Sequence, residues 1–463
     1  MSDSKQPLEI QLYEKRKKIH PRNVKGFFQR LRKISLYMLL GIFYLLPWLS
    51  FDGHQAVLFD LPARKFHIFF ITFWPQDFIF LSWALIIAAF TLFFVTALAG
   101  RVWCGFACPQ TVWTELFVRI EYWLEGDRNK RIKLDKAPWN FAKVKTRGLK
   151  LFLWLLLALW TGFTFVGFFS PIRELFFHVQ TWTLGPWETF WIFFYALATF
   201  GNAGFLREQV CMHMCPYARF QSAMFDRDTL IISYDVERGE PRVGGKKNRA
   251  ETENPGDCIE CQACVQVCPT GIDIRDGLQY ECIACAACID ACDEVMIKIG
   301  KEPGLIKYTT ENQLEGKKTH ILRPRIILYA VALSIFVGLF AYTLINRKDM
   351  AVDVLRDRNS FYRQVDSKTI ENVYKLKIMN KGKSVRQYKI TAKGFGKDLD
   401  VVIDDKFKER KLPPGDVLIL PVKVRAQKAD VKRRIQNIQI IITAVGEDGT
   451  TITEETKYFG PKK

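Results

Sequence analysis

Cysteine is the residue type in this chain whose spacing most clearly indicates chemistry, and eight of the twelve cysteines lie in one short block. A cubane iron–sulfur cluster needs four thiolates, and a C-x2-C-x2-C-x3-C run supplies three from one tight loop while its fourth cysteine reaches a neighbouring cluster. The block contains two such runs and therefore predicts two 4Fe–4S clusters. The runs are Cys258, Cys261, Cys264 and Cys268, followed by Cys282, Cys285, Cys288 and Cys292.

The crossing of the fourth thiolate decides which cysteines share a cluster. Pro269 follows the first run, as in bacterial ferredoxins, whereas Asp293 stands at the corresponding place after the second. Zinc sites take separated pairs of ligands more often than runs of four, and disulfides would be reduced on the cytoplasmic side, where the block is expected. The predicted ligands are Cys258, Cys261, Cys264 and Cys292 for the first cluster, and Cys282, Cys285, Cys288 and Cys268 for the second.

The other four cysteines form a second pattern, C-x3-C-P, which occurs twice. Cys104 and Cys108 precede Pro109, and Cys211 and Cys215 precede Pro216. Each motif follows an apolar run and precedes an amphipathic stretch (111–124 or 217–225), so the region resembles a twofold repeat whose thiols meet at one membrane face. Cysteines four residues apart lie on one face of a helix, where each pair could hold one ion.

Soft sulfur ligands select Cu(I), zinc or iron–sulfur centres. We therefore predict that these four cysteines form a catalytic copper or redox site. A third cluster and a reversible dithiol fit the pattern as well, and the plain alternative is small side chains packed at helix ends. The predicted metal ligands are Cys104, Cys108, Cys211 and Cys215, with Met212, His213 and Met214 as weaker candidates.

The six histidines give a weaker signal. None lies in the middle of an apolar run, so the pattern does not favour a membrane haem. His54, His67 and His178 are expected in loops or at the membrane interface, and a copper-handling role on the outer side is a minor alternative for them. No glycine-rich nucleotide fingerprint opens a helix after a strand.

Five apolar runs are long enough to position these motifs in a bilayer, which requires about 20 helical residues per span. Trp and Tyr at their rims argue against buried helices of a soluble protein. The expected spans are 34–51, 78–99, 150–169, 187–206 and 325–345.

Basic residues are distributed unevenly between the ends of these runs. Ten precede the first span, two follow it, eleven lie between residues 101 and 150, and one follows the third span. Cytoplasmic loops are enriched in Lys and Arg, so the N-terminus, the cysteine motifs and the cluster block are expected in the cytoplasm and the C-terminal region outside. The basic residues on the cytoplasmic side of the spans and a basic C-terminal tail account for most of the net charge of +19. No motif indicates nucleic-acid binding.

The C-terminal region alternates apolar and polar residues with a period of two. Turn signals separate its runs at 380–382, 413–415 and 447–449, which predicts six or seven short strands in an immunoglobulin-like β-sandwich. The predicted organisation is a basic cytoplasmic segment (1–33), four spans with both C-x3-C-P motifs (34–225), a linker (226–256), a two-cluster ferredoxin-like domain (257–300), a second linker (301–324), a fifth span (325–345) and the sandwich (350–463).

This order of motifs resembles the cytochrome c oxidase accessory proteins of the CcoG/FixG type along nearly the whole chain. The resemblance begins at His20–Pro21–Arg22, continues through Trp103–Cys104–Gly105, Cys211–Cys215 and Arg238–Arg242, and ends in the sandwich. It implies a multi-pass protein of the bacterial inner membrane with a periplasmic C-terminal domain. It also implies that the protein reduces Cu(II) to Cu(I) for a cbb-type haem–copper oxidase, with oxidase assembly factors or copper chaperones as partners.

Two other functions remain open from the residues alone. One is a quinol or ferredoxin electron-transfer subunit of another respiratory reductase, and the other is a non-catalytic assembly scaffold whose clusters sense redox state. The cytoplasmic electron donor and the formation of a homodimer are also left open.

Overall fold

The computed structural model describes residues 18–461 except 52, 246–252, 358–360, 383, 409 and 446–449. The chain divides after Phe340 into two compact units, of which the first carries both groups of cysteines and the second a β-sheet. Two expectations lie outside the described residues: the basic residues before Lys18 and the turn at 447–449.

Helices dominate the first unit. They are α1 (Phe27–Leu45), α2 (Phe78–Ala99), α3 (Val102–Phe106), α4 (Pro109–Glu125), α5 (Arg128–Lys136), α6 (Phe141–Val166), α7 (Ile172–Gln180), α8 (Pro186–Thr199), α9 (Pro216–Ser222), α10 (Val236–Gly239), α11 (Ala263–Val267), α12 (Ala287–Lys298), α13 (Glu311–Leu314) and α14 (Pro324–Ile345), the last of which runs into the second unit. Its strands are β1 (Ser50–Phe51), β2 (His54–Gln55), β3 (Val57–Asp60), β4 (Lys65–Ile68), β5 (Ile71–Phe73), β6 (Ile231–Tyr234) and β7 (Ile306–Thr309).

Five helical segments in the described part of the chain are long and apolar enough to cross a membrane, which confirms the expected number. They are Phe27–Trp48, Phe78–Ala99, Phe141–Val166, Pro186–Leu206 and Pro324–Ile345. The fourth continues α8 through a π-helical turn at Phe200–Leu206. The chain is therefore a multi-pass membrane protein.

The first and third spans begin earlier than their apolar runs. α1 starts at Phe27 and ends before a 3-10 turn at Leu46–Trp48, because Pro47 has no N–H to continue the helical ladder. α6 starts at Phe141, where the Asn140 side chain accepts a hydrogen bond from the Lys143 amide at 2.8 Å and caps the helix. In both cases a turn that contains basic residues extends the helix beyond its apolar part.

The two stretches expected as linkers contain structure that supports the cluster block. β6 and β7 pair antiparallel, with Ile232 opposite Tyr308. Ile232, Tyr234 and Ile306 share one buried core with Cys258 and Cys264. Strand pairing thus joins chain segments on either side of the block and gives the short cysteine loops an apolar base.

The second unit is an antiparallel β-structure. In the order β15–β14–β11–β12–β13–β10–β8, with β9 on β10, the β11–β12 hairpin joins two groups of strands into a barrel-like sheet. The sequence predicted six or seven strands, and the described residues of this unit contain eight. They are β8 (Met350–Arg356), β9 (Arg363–Gln364), β10 (Thr369–Asn380), β11 (Gln387–Gly394), β12 (Lys397–Ile403), β13 (Val417–Gln427), β14 (Ile435–Val445) and β15 (Thr451–Phe459), with a short helix α15 at Asp405–Lys408.

The inward-facing residues of this sheet are those that the alternation predicts. Tyr374, Leu376 and Ile378 on β10 are fully buried, and so are Val422 and Val424 on β13 and Ile438, Ile440 and Ile442 on β14. Because side chains of a strand alternate between its faces, the period-two pattern alone identified this core.

Candidate redox site

The two cysteine runs fold into loops of the same backbone conformation. Glu260 and Gln262 in the first run, and Ala284 and Ala286 in the second, all have positive φ between 52° and 59°. These residues occupy equivalent places, two and four positions after the first cysteine of each run. Left-handed residues turn successive amides towards one concave side, an arrangement found at iron–sulfur sites. The loop geometry therefore fits a cluster at each run.

The structure brings the fourth cysteine of each run to the other loop. Cys292 lies within electrostatic range of Cys258, Cys261 and Cys264. Cys268 lies within range of Cys282, Cys285 and Cys288. One cavity is lined by Cys268, Cys282, Cys285 and Cys288, and also by Cys264 of the first predicted cluster and by apolar side chains. This grouping fits the crossover assignment, which stays a prediction of ligand identity.

Burial raises the pKa of several of these thiols. It raises the pKa of Cys264 to about 11 and the pKa values of Cys282 and Cys292 to about 12. Binding of iron must therefore release protons. Two guanidinium groups offset the negative charge that remains: Arg275 lies near Cys264, and Arg32 lies near Cys285.

The other four cysteines, Cys104, Cys108, Cys211 and Cys215, are called the thiol group below. Cys104 lies in α3, and Cys108 is the residue before α4, which starts with Pro109. Cys211 lies in a π-helical turn (Val210–Met214), and Cys215 is the residue before α9, which starts with Pro216. Each pair thus spans a helix break, and the expectation of one continuous helical face was wrong. Proline at the first helical position has no amide to leave unpaired, which favours a helix start there.

All four thiols lie close enough to interact electrostatically. Cys104 is influenced by Cys108, Cys211 and Cys215, and Cys211 by Cys108 and Cys215. Burial raises the pKa of Cys104 to about 12 and that of Cys211 to about 11. The tertiary structure therefore assembles one group from two motifs about 100 residues apart in the chain.

The weaker candidate ligands are placed less favourably. His213 and Met214 are exposed, and Met212 is half-buried with its sulfur 3.9 Å from Gln209 Nε2. Among the described residues no three Cys, His, Asp or Glu side chains converge closely enough to hold a single metal ion. Thiolates that bind the corners of a cubane are separated by the cluster itself, so this finding does not count against the two loops.

The thiol group packs directly against the loop of the second predicted cluster. A Cβ added to Gly105, next to Cys104, would lie 2.8 Å from the carbonyl oxygens of Ile283 and Ala284. Those two residues separate Cys282 from Cys285. Glycine at this position is what allows the two backbones to meet.

Arg101 reinforces this contact. Its buried guanidinium donates hydrogen bonds to the carbonyl oxygens of Tyr280, Cys282 (3.2 Å) and Ala218 (2.9 Å). Ala218 is in α9, the helix that follows Cys215. One side chain therefore ties the second cluster loop to the second C-x3-C-P motif.

A buried ionic network, which the sequence analysis missed, holds the two C-x3-C-P segments together. Glu121 on α4 lies 2.8 Å from Arg207, 3.3 Å from Arg131 and 3.3 Å from Lys150. Although burial alone would raise the pKa of Glu121, these cations lower it to about 2. Charged residues at the ends of the apolar runs could have indicated such a network. Their spacing along the chain does not show which of them form ion pairs.

Comparison with protein families matches three parts of the chain. Residues 81–131 match a 4Fe-4S binding domain, residues 206–311 match a 4Fe-4S dicluster domain, and residues 340–461 match the IG-like fold at the C-terminal of FixG. The immunoglobulin-like character expected from the strand pattern is thereby confirmed. The first two matches include all twelve cysteines.

Individual relatives match over most of their length. The nitrogen fixation protein FixG of Rhizobium meliloti is 39% identical over 83% of this chain and 80% of the relative. The protein RdxB of Cereibacter sphaeroides is 42% identical over 82% of this chain and 83% of the relative. A crystal structure of a FixG-related protein from Vibrio parahaemolyticus is 30% identical and covers 24% of this chain and 96% of that chain, with a TM-score of 0.21. The chain belongs to the FixG/RdxB family of membrane iron–sulfur electron-transfer proteins.

Proposed function

We propose that this protein is a cupric reductase that supplies Cu(I) for assembly of a cbb-type haem–copper oxidase. The observation that carries the proposal is the direct contact between the thiol group and the second cluster loop at Gly105. The segment that carries Cys104 and Cys108 and the loop predicted to hold the second cluster thus share one backbone contact.

The residues of each site suit their roles. When bound, 4Fe–4S clusters supply one-electron transfer, and such clusters reach low potentials. Their predicted ligands are the eight cysteines of the two runs. The thiol group would hold copper as substrate, and sulfur ligands favour Cu(I) over Cu(II). Each Cu(II) would gain one electron from the reduced protein and leave as Cu(I).

The local environment of Cys108 also suits a metal-bound thiolate. The backbone amides of Thr111 and Gln110, in the first turn of α4, act to lower the pKa of its thiol. Amides at a helix N-terminus stabilise negative charge. Burial opposes this effect and raises the pKa of Cys108 overall, so the thiolate forms most readily when a cation is bound.

The distribution of basic residues supports an orientation for the reaction. It favours the N-terminus, the thiol group and the clusters on the cytoplasmic side and the β-sheet unit on the outer side. The family resemblance implies that the membrane is the bacterial inner membrane and that the outer side is the periplasm. A cytoplasmic donor would then reduce the clusters, and oxidase assembly factors or copper chaperones would take the product. Reporter fusions after the second and fifth spans would test this orientation.

The central experiment uses anaerobically purified full-length protein reduced with dithionite. Cluster absorbance is followed after addition of Cu(II) and a Cu(I)-specific chelator, for the wild type and for a variant with Cys104, Cys108, Cys211 and Cys215 changed to Ser. We expect fast reoxidation with one Cu(I) formed per electron lost, and slow reoxidation in the variant. A ubiquinone analogue in place of Cu(II) serves as the matched acceptor control.

Each result has a definite meaning. Equal rates in both proteins would show that the clusters reduce copper nonspecifically, and the thiol group would need another role. Reoxidation by the quinone but not by copper would favour a quinol-linked electron-transfer subunit. Reoxidation by neither acceptor would favour the redox-sensing scaffold.

A further inference from the structure

Two histidines from separate strands meet in the loop between the first and second spans. His54 on β2 and His67 on β4 have ring centroids 4.3 Å apart, with ring planes 31° from parallel. Both side chains are half-buried. The pairing depends on the fold, because twelve residues and a strand separate the two positions.

Each ring has one nitrogen engaged in a hydrogen bond and the other turned away from that bond. His54 Nδ1 lies 3.1 Å from the carbonyl oxygen of Gln55, which can only accept, so Nδ1 carries the proton and Nε2 carries the lone pair. His67 Nδ1 lies 3.0 Å from Thr72 Oγ1, which can accept in the same way. Histidine ligands of metal ions generally donate their other N–H to such a partner, which fixes the tautomer.

The surroundings of His67 favour its neutral ring. Burial, then the nearby His54 and Lys65, lower the pKa of His67 below 6.5, while Asp60 acts in the opposite direction. The Lys65 ammonium lies over the Trp74 ring, 5.1 Å from its centroid. Neutral imidazole is the form that binds metal ions.

The backbone around the pair is anchored to the rest of the first unit. Gln55 Nε2 donates to the carbonyl oxygens of Val57 (2.8 Å) and Gly167 (2.6 Å), and Gln55 Oε1 accepts from the Ile172 amide at 2.9 Å. The Phe59 amide donates to the Phe168 carbonyl at 2.7 Å. The loop is therefore fixed to the segment that follows the third span, and the two imidazoles are held in place before any ion arrives.

We propose that His54 and His67 form a two-imidazole site for a divalent metal ion of the Cu(II) class. Among first-row divalent ions Cu(II) binds nitrogen ligands most strongly, which makes it the favoured occupant. Because the protein supplies only two ligands, coordination positions of the ion stay open. Open positions suit an ion that is bound and released, whereas the protein fills all positions of a structural metal site. Since successive spans alternate in direction, this site lies on the membrane face opposite the thiol group. Binding at this pair does not require the reductase activity proposed above.

The test uses full-length oxidised protein in which the thiol group is changed to Ser, so that copper is neither held nor reduced there. Cu(II) is titrated against a competing chelator, and its electron paramagnetic resonance spectrum is recorded. We expect one bound Cu(II) with splitting from two nitrogens. His54→Gln and His67→Gln should each weaken binding at least about tenfold and remove one nitrogen from the spectrum.

His178 provides a matched control, because it is also half-buried and lies between two spans, in α7 after the third span. Its Nδ1 lies 2.9 Å from a threonine hydroxyl, Thr183 Oγ1. Its ring contact is with Phe177, so His178→Gln should leave binding unchanged. Thr72→Val keeps both imidazoles and should weaken binding about tenfold through loss of orientation. Iron content and thermal stability show whether each variant is folded. Unchanged affinity and spectrum in the folded double variant, or an equal loss in His178→Gln, would overturn the proposal.

Discussion

The two groups of cysteines in this protein are built in opposite ways. The eight cysteines of the cluster block lie on two short loops that repeat one backbone conformation, with left-handed residues at equivalent positions such as Gln262 and Ala286. The thiol group is assembled from two helix breaks, each followed by a helix that starts with proline. The first group is held by local chain geometry, whereas the second exists only because distant segments pack together.

The two groups of cysteines should therefore respond to different kinds of mutation. A ligand substitution in the block should remove a cofactor, whereas the thiol group should respond to changes in packing some distance from any sulfur. Four experiments test the comparison.

The largest effect is expected for cysteines of the cluster block. Cys292→Ser should remove the same cluster signal as Cys258→Ser, and Cys268→Ser the same signal as Cys282→Ser, with about half of the iron lost in each case. Iron analysis and electron paramagnetic resonance of the reduced protein would measure this. Cys104→Ser is the matched control and should keep all the iron. Loss of iron in that control would show that the thiol group holds a third cluster and would remove the distinction between the two groups.

The next effect concerns the ionic network between the two C-x3-C-P segments. Glu121→Gln leaves three buried or nearly buried cations without their shared carboxylate, so we expect a loss of about 3–5 kcal/mol in the free energy of unfolding. Thermal denaturation in detergent would measure it. Glu294→Gln removes an exposed i,i+4 ion pair with Lys298 in the same unit and should cost less than about 1 kcal/mol.

The same carboxylate predicts a pH dependence. The pKa of Glu121 falls from 4.5 to about 2 on folding, so its stabilising contribution is fully present above pH 4.5 and is lost as the pH falls towards 2. The difference in stability between the wild type and Glu121→Gln should therefore narrow across that range. A difference that stays constant would mean that the carboxylate is not the charged partner of Arg207.

The smallest effect is expected at the contact between the two cysteine groups. Gly105→Ala places a Cβ 2.8 Å from two carbonyl oxygens of the second cluster loop, which should cost about 1–3 kcal/mol and separate the backbones. We expect slower reoxidation by Cu(II) with both clusters retained. Gly148→Ala is the control, because nothing lies within 4 Å of a Cβ added there. Equal reoxidation rates in the two variants would show that the contact does not support electron delivery.

The sequence-based expectations succeeded where a short stretch of chain contains the whole pattern. Five apolar runs identified five spans, and the alternation around Tyr374 and Val422 identified the inward face of the β-sheet. They were less accurate at boundaries, because Phe27 and Phe141 begin helices with polar turns that an apolar run does not reveal. The stretches around Ile232 and Ile306 were expected to be linkers. Each forms a strand of only four residues, and so short a strand is not evident from the sequence until its pairing partner is known.

By itself the sequence determined the ligand types, the spacing of the cluster loops, the twofold recurrence of C-x3-C-P and the spans that carry them. These features depend on neighbours along the chain, and covalent geometry fixes the distances between such neighbours. Only the tertiary structure decided that Gly105 meets the second cluster loop, that Glu121 joins Arg207, and that His54 stacks on His67. Those contacts depend on how helices and strands distant in sequence pack, and the spacing of residues along a chain carries no record of which surfaces will meet.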